Sequence, residues 1–212
     1  MIAAGPSDKV LLRGLTINGQ GGNIGIRTTS GKEIDIEDCT VANLAQMGIM
    51  IQGGAAVHMT RLMARGNGFE GIRVELGTAI TVTTTLTDSI LESNVDAGFF
   101  AYPLVAGATV NAAITRATAS GNGGTGFLAN NLNVGTINMT VADSIATENG
   151  VAGVQASGTN TTAIVSGSSL VRNSAADFLQ SASAVLLTAG NNAVTGRGAA
   201  DISGTLTANP LK

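Results

Sequence analysis

Short runs in which every second residue is apolar recur along nearly the whole chain. The stretches IDI at 34–36, VHM at 57–59, NMTV at 138–141 and TAIV at 162–165 each turn alternate residues toward one side. A period of two predicts β-strands, and no segment carries a sustained apolar stripe at the helical period of 3.6. A second set of runs follows a glycine: Ile49 and Ile51 face inward, as do Ile72 and Val74, while Met50 and Arg73 face outward. Asn-Gly and Gly-Gly pairs, with only three prolines in the chain, mark the corners between runs.

The runs repeat. A glycine followed by an apolar residue returns as Gly25-Ile26, Gly48-Ile49, Gly71-Ile72, Gly98-Phe99, Gly126-Phe127 and Gly153-Val154, and Asp177-Phe178 takes the next place with Asp for Gly. The intervals are 23, 23, 27, 28, 27 and 24 residues. Asn67, Asn94, Asn122, Asn149 and Asn173 stand four residues before this position; Asn43 stands five before and Asn18 seven before. Such self-similarity marks a solenoid. A leucine-rich repeat needs several leucines per turn, whereas here the inward positions carry Ile, Val, Met, Ala and Thr. The return segments also hold too much Gly and Thr for helix. The expected fold is therefore all-β, a single-stranded parallel β-helix of about eight coils. Each coil stacks ~4.8 Å on the last, like side chains pile into ladders, and the asparagine column satisfies corner backbone groups. Residues 10–204 form the β-helix as one domain, residues 1–9 a lead-in without a full cap, and residues 205–212 a tail.

Composition refines this picture. With 44% hydrophobic and 12% charged residues the chain is built to bury a core, and with 3% aromatics that core is expected to be small and β-branched. A net charge of −3 and singly scattered Lys and Arg offer no basic patch for nucleic acid or anionic lipid. No apolar run approaches ~20 residues, so no membrane insertion is expected, and MIAAGPSDKV lacks the pattern of a secretion signal. Cys39 is the single cysteine and reads as a buried structural thiol. Phosphate-loop, nucleophile-elbow, HExxH and calcium-nonapeptide motifs are absent from the sequence.

VLLRGLTINGQGGNIGIR, IDIEDCTVANLAQMGIMIQ and the closing GNNAVTGRG resemble a bacterial family of right-handed parallel β-helix repeat proteins within the pectate-lyase-like superfamily. The likeness runs from about Val10 to Gly204 and specifies coil geometry rather than chemistry. It implies a right-handed coil and a secreted or envelope setting. The superfamily includes polysaccharide lyases, hydrolases and epimerases, tailspikes, and envelope proteins without known activity. Members of this group usually carry a further N-terminal segment. Here Leu11, Leu12, Leu15 and Ile17 form an uncapped first layer, expected of a truncated chain or of an end that stacks on another copy.

Reading equivalent positions as columns yields the candidate chemistry. Asp38, Arg61, Asp88, Arg116 and Asp143 alternate in charge along five coils, a ladder in which neighbours attract. Arg65–Glu92 and Glu148–Arg172 are smaller pairs of the same kind. Arg13, Asp35, Glu37, His58 and Arg61 form the densest set of reactive groups. The resemblance implies how they would act: a uronate lyase or epimerase needs a base, His58 or a carboxylate (Asp35 or Glu37), and a neutralising cation, Arg61. Calcium, which superfamily lyases often bind, finds only two carboxylates in this set; no cofactor or metal is expected. On the face after the glycine, one outward column reads Arg27, Met50, Arg73, Phe100, Leu128, Gln155 and Leu179. Longer turns at 102–104 and 130–133 are expected to cover its apolar members. A carbohydrate groove on this face would use Tyr102 as a stacking platform bordered by Gln52, Glu75 and Asn130. The leading expectation is a non-enzymatic solenoid module of the envelope or extracellular space with a polysaccharide partner. Its rivals are a lyase or epimerase acting on uronate polymers through the His58 cluster, and a piece of a larger protein that self-associates end to end or laterally.

Overall fold

A computed structural model describes residues 1–132, 134–195 and 201–209. Asn133 of the longer turn, residues 196–198 of the closing GNNAVTGRG stretch and residues 210–212 of the tail lie outside the described residues. All regular structure described is strand: 26 strands in three parallel sheets of nine, nine and eight. No helix among the described residues is long and apolar enough to cross a membrane.

Among the described residues each coil but the last contributes one strand to each sheet. The coil from Gly25 gives Ile26–Ser30 to the first sheet, Glu33–Glu37 to the second and Thr40–Ala42 to the third. The next begins with Ile49–Ile51, paired directly above Ile26–Thr28. Pairing starts at Ile2–Ala3 and ends at Leu206–Ala208. In the first coil, Leu12 and Ile17 pack against the core, whereas Leu11 and Leu15 are exposed.

Alternation places the core as expected. Ile34, Ile36, Val57, Met59, Ile49, Ile51, Ile72 and Val74 are wholly buried between the sheets. The scarce aromatics are concentrated there rather than missing. Phe99, Phe127 and Phe178 are buried in one column, Phe99 in register with Phe127, which is followed by Val154 and then Phe178.

The corner between the third sheet and the first explains the repeat signature. Asn67, Asn94, Asn122, Asn149 and Asn173 are buried in a ladder in which each Nδ2 donates to the next Oδ1 at 2.9 Å. Each of these acceptor oxygens also takes the backbone N–H of the asparagine below it. The second Nδ2 proton reaches a third-sheet carbonyl, as from Asn122 to Leu91 at 3.1 Å. Buried amides are costly unless paired, so this pairing holds each coil on the next. Asn43 stands one place out of the column. It occupies the left-handed corner position at φ 58° and accepts nothing in the ladder, while Leu44 takes the ladder position and donates its N–H to Asn67 Oδ1. The glycine column follows from the same packing. A Cβ on Gly71 would lie 2.8 Å from the Gly98 carbonyl oxygen and 2.9 Å from Asn94 Nδ2.

The sequence places no asparagine one coil beyond Asn173. Asp177, at the glycine position, turns its own carboxylate to Asn173, where Oδ1 accepts both Nδ2 at 2.7 Å and the backbone N–H. The ladder thus ends on an acceptor from the same coil.

Cys39 belongs to another inward column. Its thiol is buried and donates to the Glu37 carbonyl, the same two-residue back-bond that Ser89, Ser144 and Ser168 make.

Candidate functional site

Two outward faces carry the candidate residues. The charged column marks the corner between the second and third sheets, beside one of them. Asp38, Arg61, Asp88, Arg116 and Asp143 all have φ between 49° and 53°, a left-handed conformation that costs a non-glycine residue ~1–2 kcal/mol. Gly14 and Gly167 take the corresponding corners in the coils before and after. The column closes into pairs rather than one continuous ladder. Arg61 grips Asp38 with Nε at 2.5 Å and Nη2 at 3.0 Å, and Arg116 grips Asp88 at 2.7 and 3.0 Å. These pairs are exposed. Arg61, and secondarily Arg13, hold the Asp38 carboxyl down at about 2, and Arg116 lowers that of Asp88. Glu148 and Arg172 also pair, at 2.8 Å, whereas Arg65 and Glu92 share a register position without an ion pair.

On the outer face of the second sheet, the five residues expected to act together divide in two. Arg13 lies in register with Glu37, 3.7 Å from its carboxylate, and also reaches Asp38 at 3.2 Å. Arg61 stands 3.9 Å from Glu37 but is held by Asp38. The other half is Asp35 and His58, in register on adjacent strands, with His58 Nδ1 2.9 Å from Thr85 Oγ1. Sequence reading left out Glu33, which alternation places on the same face as Asp35. Lys9 binds Glu33 at 2.5 Å; this hydrogen bond lowers the Glu33 pKa and raises that of Lys9. Metal-capable atoms of Glu33, Asp35 and His58 lie within 4.8 Å of one another. Two carboxylates and an imidazole do not fit calcium, which takes six to eight oxygens.

The outer face of the first sheet is more continuous. Arg73, Phe100, Leu128 and Gln155 follow one another in register over four coils. Phe100 and Leu128 are buried although they point outward, packed with Ala97 and with Tyr102 at their edge. The cover comes from Tyr102, at the start of the first of the two longer turns. Asn131 ties its turn to the Gly135 and Thr159 carbonyls, while Leu104 and Leu132 remain exposed. Tyr102 instead stacks on Phe100 with ring centroids 4.9 Å apart, and the Arg73 guanidinium lies 5.2 Å from the Phe100 centroid and 5.1 Å from that of Tyr102. Arg73 is itself clamped, by Glu70 at 3.1 Å and Glu75 at 2.7 Å. Glu70 is buried, its Oε2 has no partner, and burial raises its pKa.

The four residues picked as a carbohydrate border stand at one column position in four consecutive coils, all half-buried. Glu75 is in register with Tyr102. Gln52 donates to Glu75 at 3.2 Å and accepts from Arg27 Nε at 2.7 Å. Asn130 lies beside Ser157. A cavity of about 450 Å³ opens elsewhere, where the first sheet turns into the second, lined by Ala4, Thr29, Gly31, Gly54 and Ile80 among others. No titratable residue lines it.

A family model described as a right-handed β-helix region matches residues 2–174. Comparison with curated proteins and with solved structures gives no match.

Proposed function

We propose, for a chain that belongs to the right-handed β-helix family, the role of a non-enzymatic module that binds a polysaccharide along the outer face of its first sheet. The observation that carries this reading is the row Gln52, Glu75, Tyr102 and Asn130, one residue per coil, with the Tyr102 ring fixed by Phe100 and Arg73. The row extends ~14 Å at the usual strand spacing, enough to meet successive sugar rings of a glycan lying along the axis. An aromatic face flanked by amide and carboxylate groups offers stacking together with hydroxyl recognition. Glu70 and Glu75, which clamp Arg73 beside the ring pair, outnumber it, which favours a neutral polymer over a uronate. Family resemblance supports an envelope or extracellular setting.

The rival reading, a uronate lyase or epimerase at His58, is less well supported. Arg61, its neutralising cation, is held by two bonds to Asp38, and Glu37 lies between two arginines.

Retention on a panel of neutral and uronate polysaccharides, with ultraviolet absorbance read in parallel, tests the proposal. Retention on a neutral polymer is expected, weakened about ten-fold by Tyr102→Ala and unchanged by Thr140→Ala on the second sheet. Retention indifferent to Tyr102, or none on any polymer, overturns it. Unsaturated-uronate absorbance that disappears in His58→Ala replaces it with the lyase.

A further inference from the structure

We propose that Glu33, Asp35 and His58 form a binding site for a divalent transition-metal ion of the zinc type on the outer face of the second sheet. The three side chains offer two carboxylate oxygens and one imidazole nitrogen, all within 4.8 Å of one another, and all three are half-buried. Glu33 and Asp35 belong to one strand, two residues apart and so on one face. His58 comes from the next coil, directly in register with Asp35. The backbone positions are therefore fixed by sheet pairing on both sides, since the His58 strand is paired again to Thr83–Thr87 above.

The imidazole is held in place. Nδ1 lies 2.9 Å from the Thr85 hydroxyl, which leaves Nε2 as the nitrogen for a metal, an arrangement in which the outer partner orients the ligand. Zinc bonds to nitrogen and oxygen of ~2.0–2.2 Å place tetrahedral ligands roughly 3.4 Å apart. Closing from within 4.8 Å takes side-chain rotation alone, which half-buried Glu and Asp side chains permit. Three protein ligands and a mixed nitrogen and oxygen set suit zinc, with a fourth position open to water or an incoming group.

Lys9 gives the site a distinctive signature. Its ammonium sits on Glu33 at 2.5 Å, so a cation already pairs with one of the two carboxylates. The Lys9 side chain is 61% exposed, free to swing into solvent when a divalent ion competes for Glu33. Lys9 is therefore a competitor of the metal, and its removal tightens binding.

Calorimetric titration of the chelator-stripped full chain with zinc, and separately with calcium, tests this. One zinc per chain is expected, lost in His58→Ala, weakened about ten-fold in Thr85→Val and tightened in Lys9→Ala, while calcium neither binds there nor displaces zinc. All three substitutions lie on an outward face, and circular dichroism checks that each variant keeps its strands. No saturable zinc binding overturns the proposal. Zinc binding unaffected by His58→Ala overturns it as well, as does calcium binding of equal strength.

Discussion

Two aspartates show how position sets the behaviour of one residue type. Asp38 is exposed at a left-handed corner, and Arg61 depresses its pKa to about 2. Its contribution to stability is therefore present above the unfolded-state pKa and lost only as pH falls through about 2. Asp177 is buried at the end of the asparagine ladder, and burial raises its pKa. Its sign is opposite: the contribution is complete below the unfolded-state pKa and disappears as pH rises through the higher folded value. Asp177→Asn keeps an Oδ1 acceptor for Asn173 and removes the buried charge. Thermal melts are expected to show the variant about 3 °C more stable near pH 7, with the gap closing toward about pH 4. An equal gap at both values would mean that charge is not the cause. At the charged corner the pairs are exposed and screened by solvent, while each corner residue carries the strain of a left-handed backbone. The pairs thus set register between coils more than they add stability.

Coils are joined by backbone ladders on three sides and by side-chain columns at the corners. Asn122, in the middle of its column, donates to Asn149 and Leu91 and accepts from Asn94 twice. Asn122→Ala leaves Asn94 Nδ2 and N–H without that acceptor in a buried corner. At ~1–3 kcal/mol for each unsatisfied group, a loss of about 3 kcal/mol or more is expected in a urea denaturation series. Gly98→Ala tests the partner column. Its Cβ would meet the Gly126 carbonyl at 2.7 Å and Asn122 Nδ2 at 3.2 Å. The strain comes from the neighbouring coil and not from φ, so the expected cost is that of overpacking, about 1–3 kcal/mol. A neutral result would mean that adjacent coils part easily.

At the scale of the molecule, each coil touches mainly the coils before and after it, which makes the solenoid nearly one-dimensional. Protection from hydrogen exchange should then peak in the central coils. The seven-residue strands Thr81–Thr87, Thr109–Thr115 and Thr136–Ala142 have neighbours on both sides. Among the described residues, Ile202–Ser203 and Leu206–Ala208 are paired on one side only. Amides of Ala112, Ile114, Met139 and Val141 are expected to exchange slowest and those of 202–208 fastest, as read by mass spectrometry. Uniform protection would indicate a single cooperative unit. The outer surface also changes along the axis. The second sheet is charged in its early coils, with Lys9, Arg13, Glu33, Asp35, Glu37 and His58, becomes a face of Thr, Asn and Ala in the strands Thr81–Thr87, Thr109–Thr115 and Thr136–Ala142, and turns more apolar with Ile164, Val185 and Leu187.

The coil follows from local pattern and repeat alone. A two-residue alternation leaves a strand little choice of face, and a column of Asn with a column of Gly only makes sense if each coil lies on another. Column alignment placed Tyr102 with Gln52, Glu75 and Asn130, and the usual burial of an unpaired cysteine placed Cys39 inside. What it could not set was contact within a face, because alternation assigns a side and not a direction along it. Asp35 and His58 therefore came out neighbours, but Arg61 turned to Asp38, and Glu33 joined a cluster in which it had not been counted. Nor does spacing specify backbone hand. The positive φ of Arg61 and Arg116 depends on how each corner bends. The cover over Phe100 was likewise decided in three dimensions: Arg73 reaches across from the adjacent coil, a distance of 27 residues in sequence and one strand spacing in space.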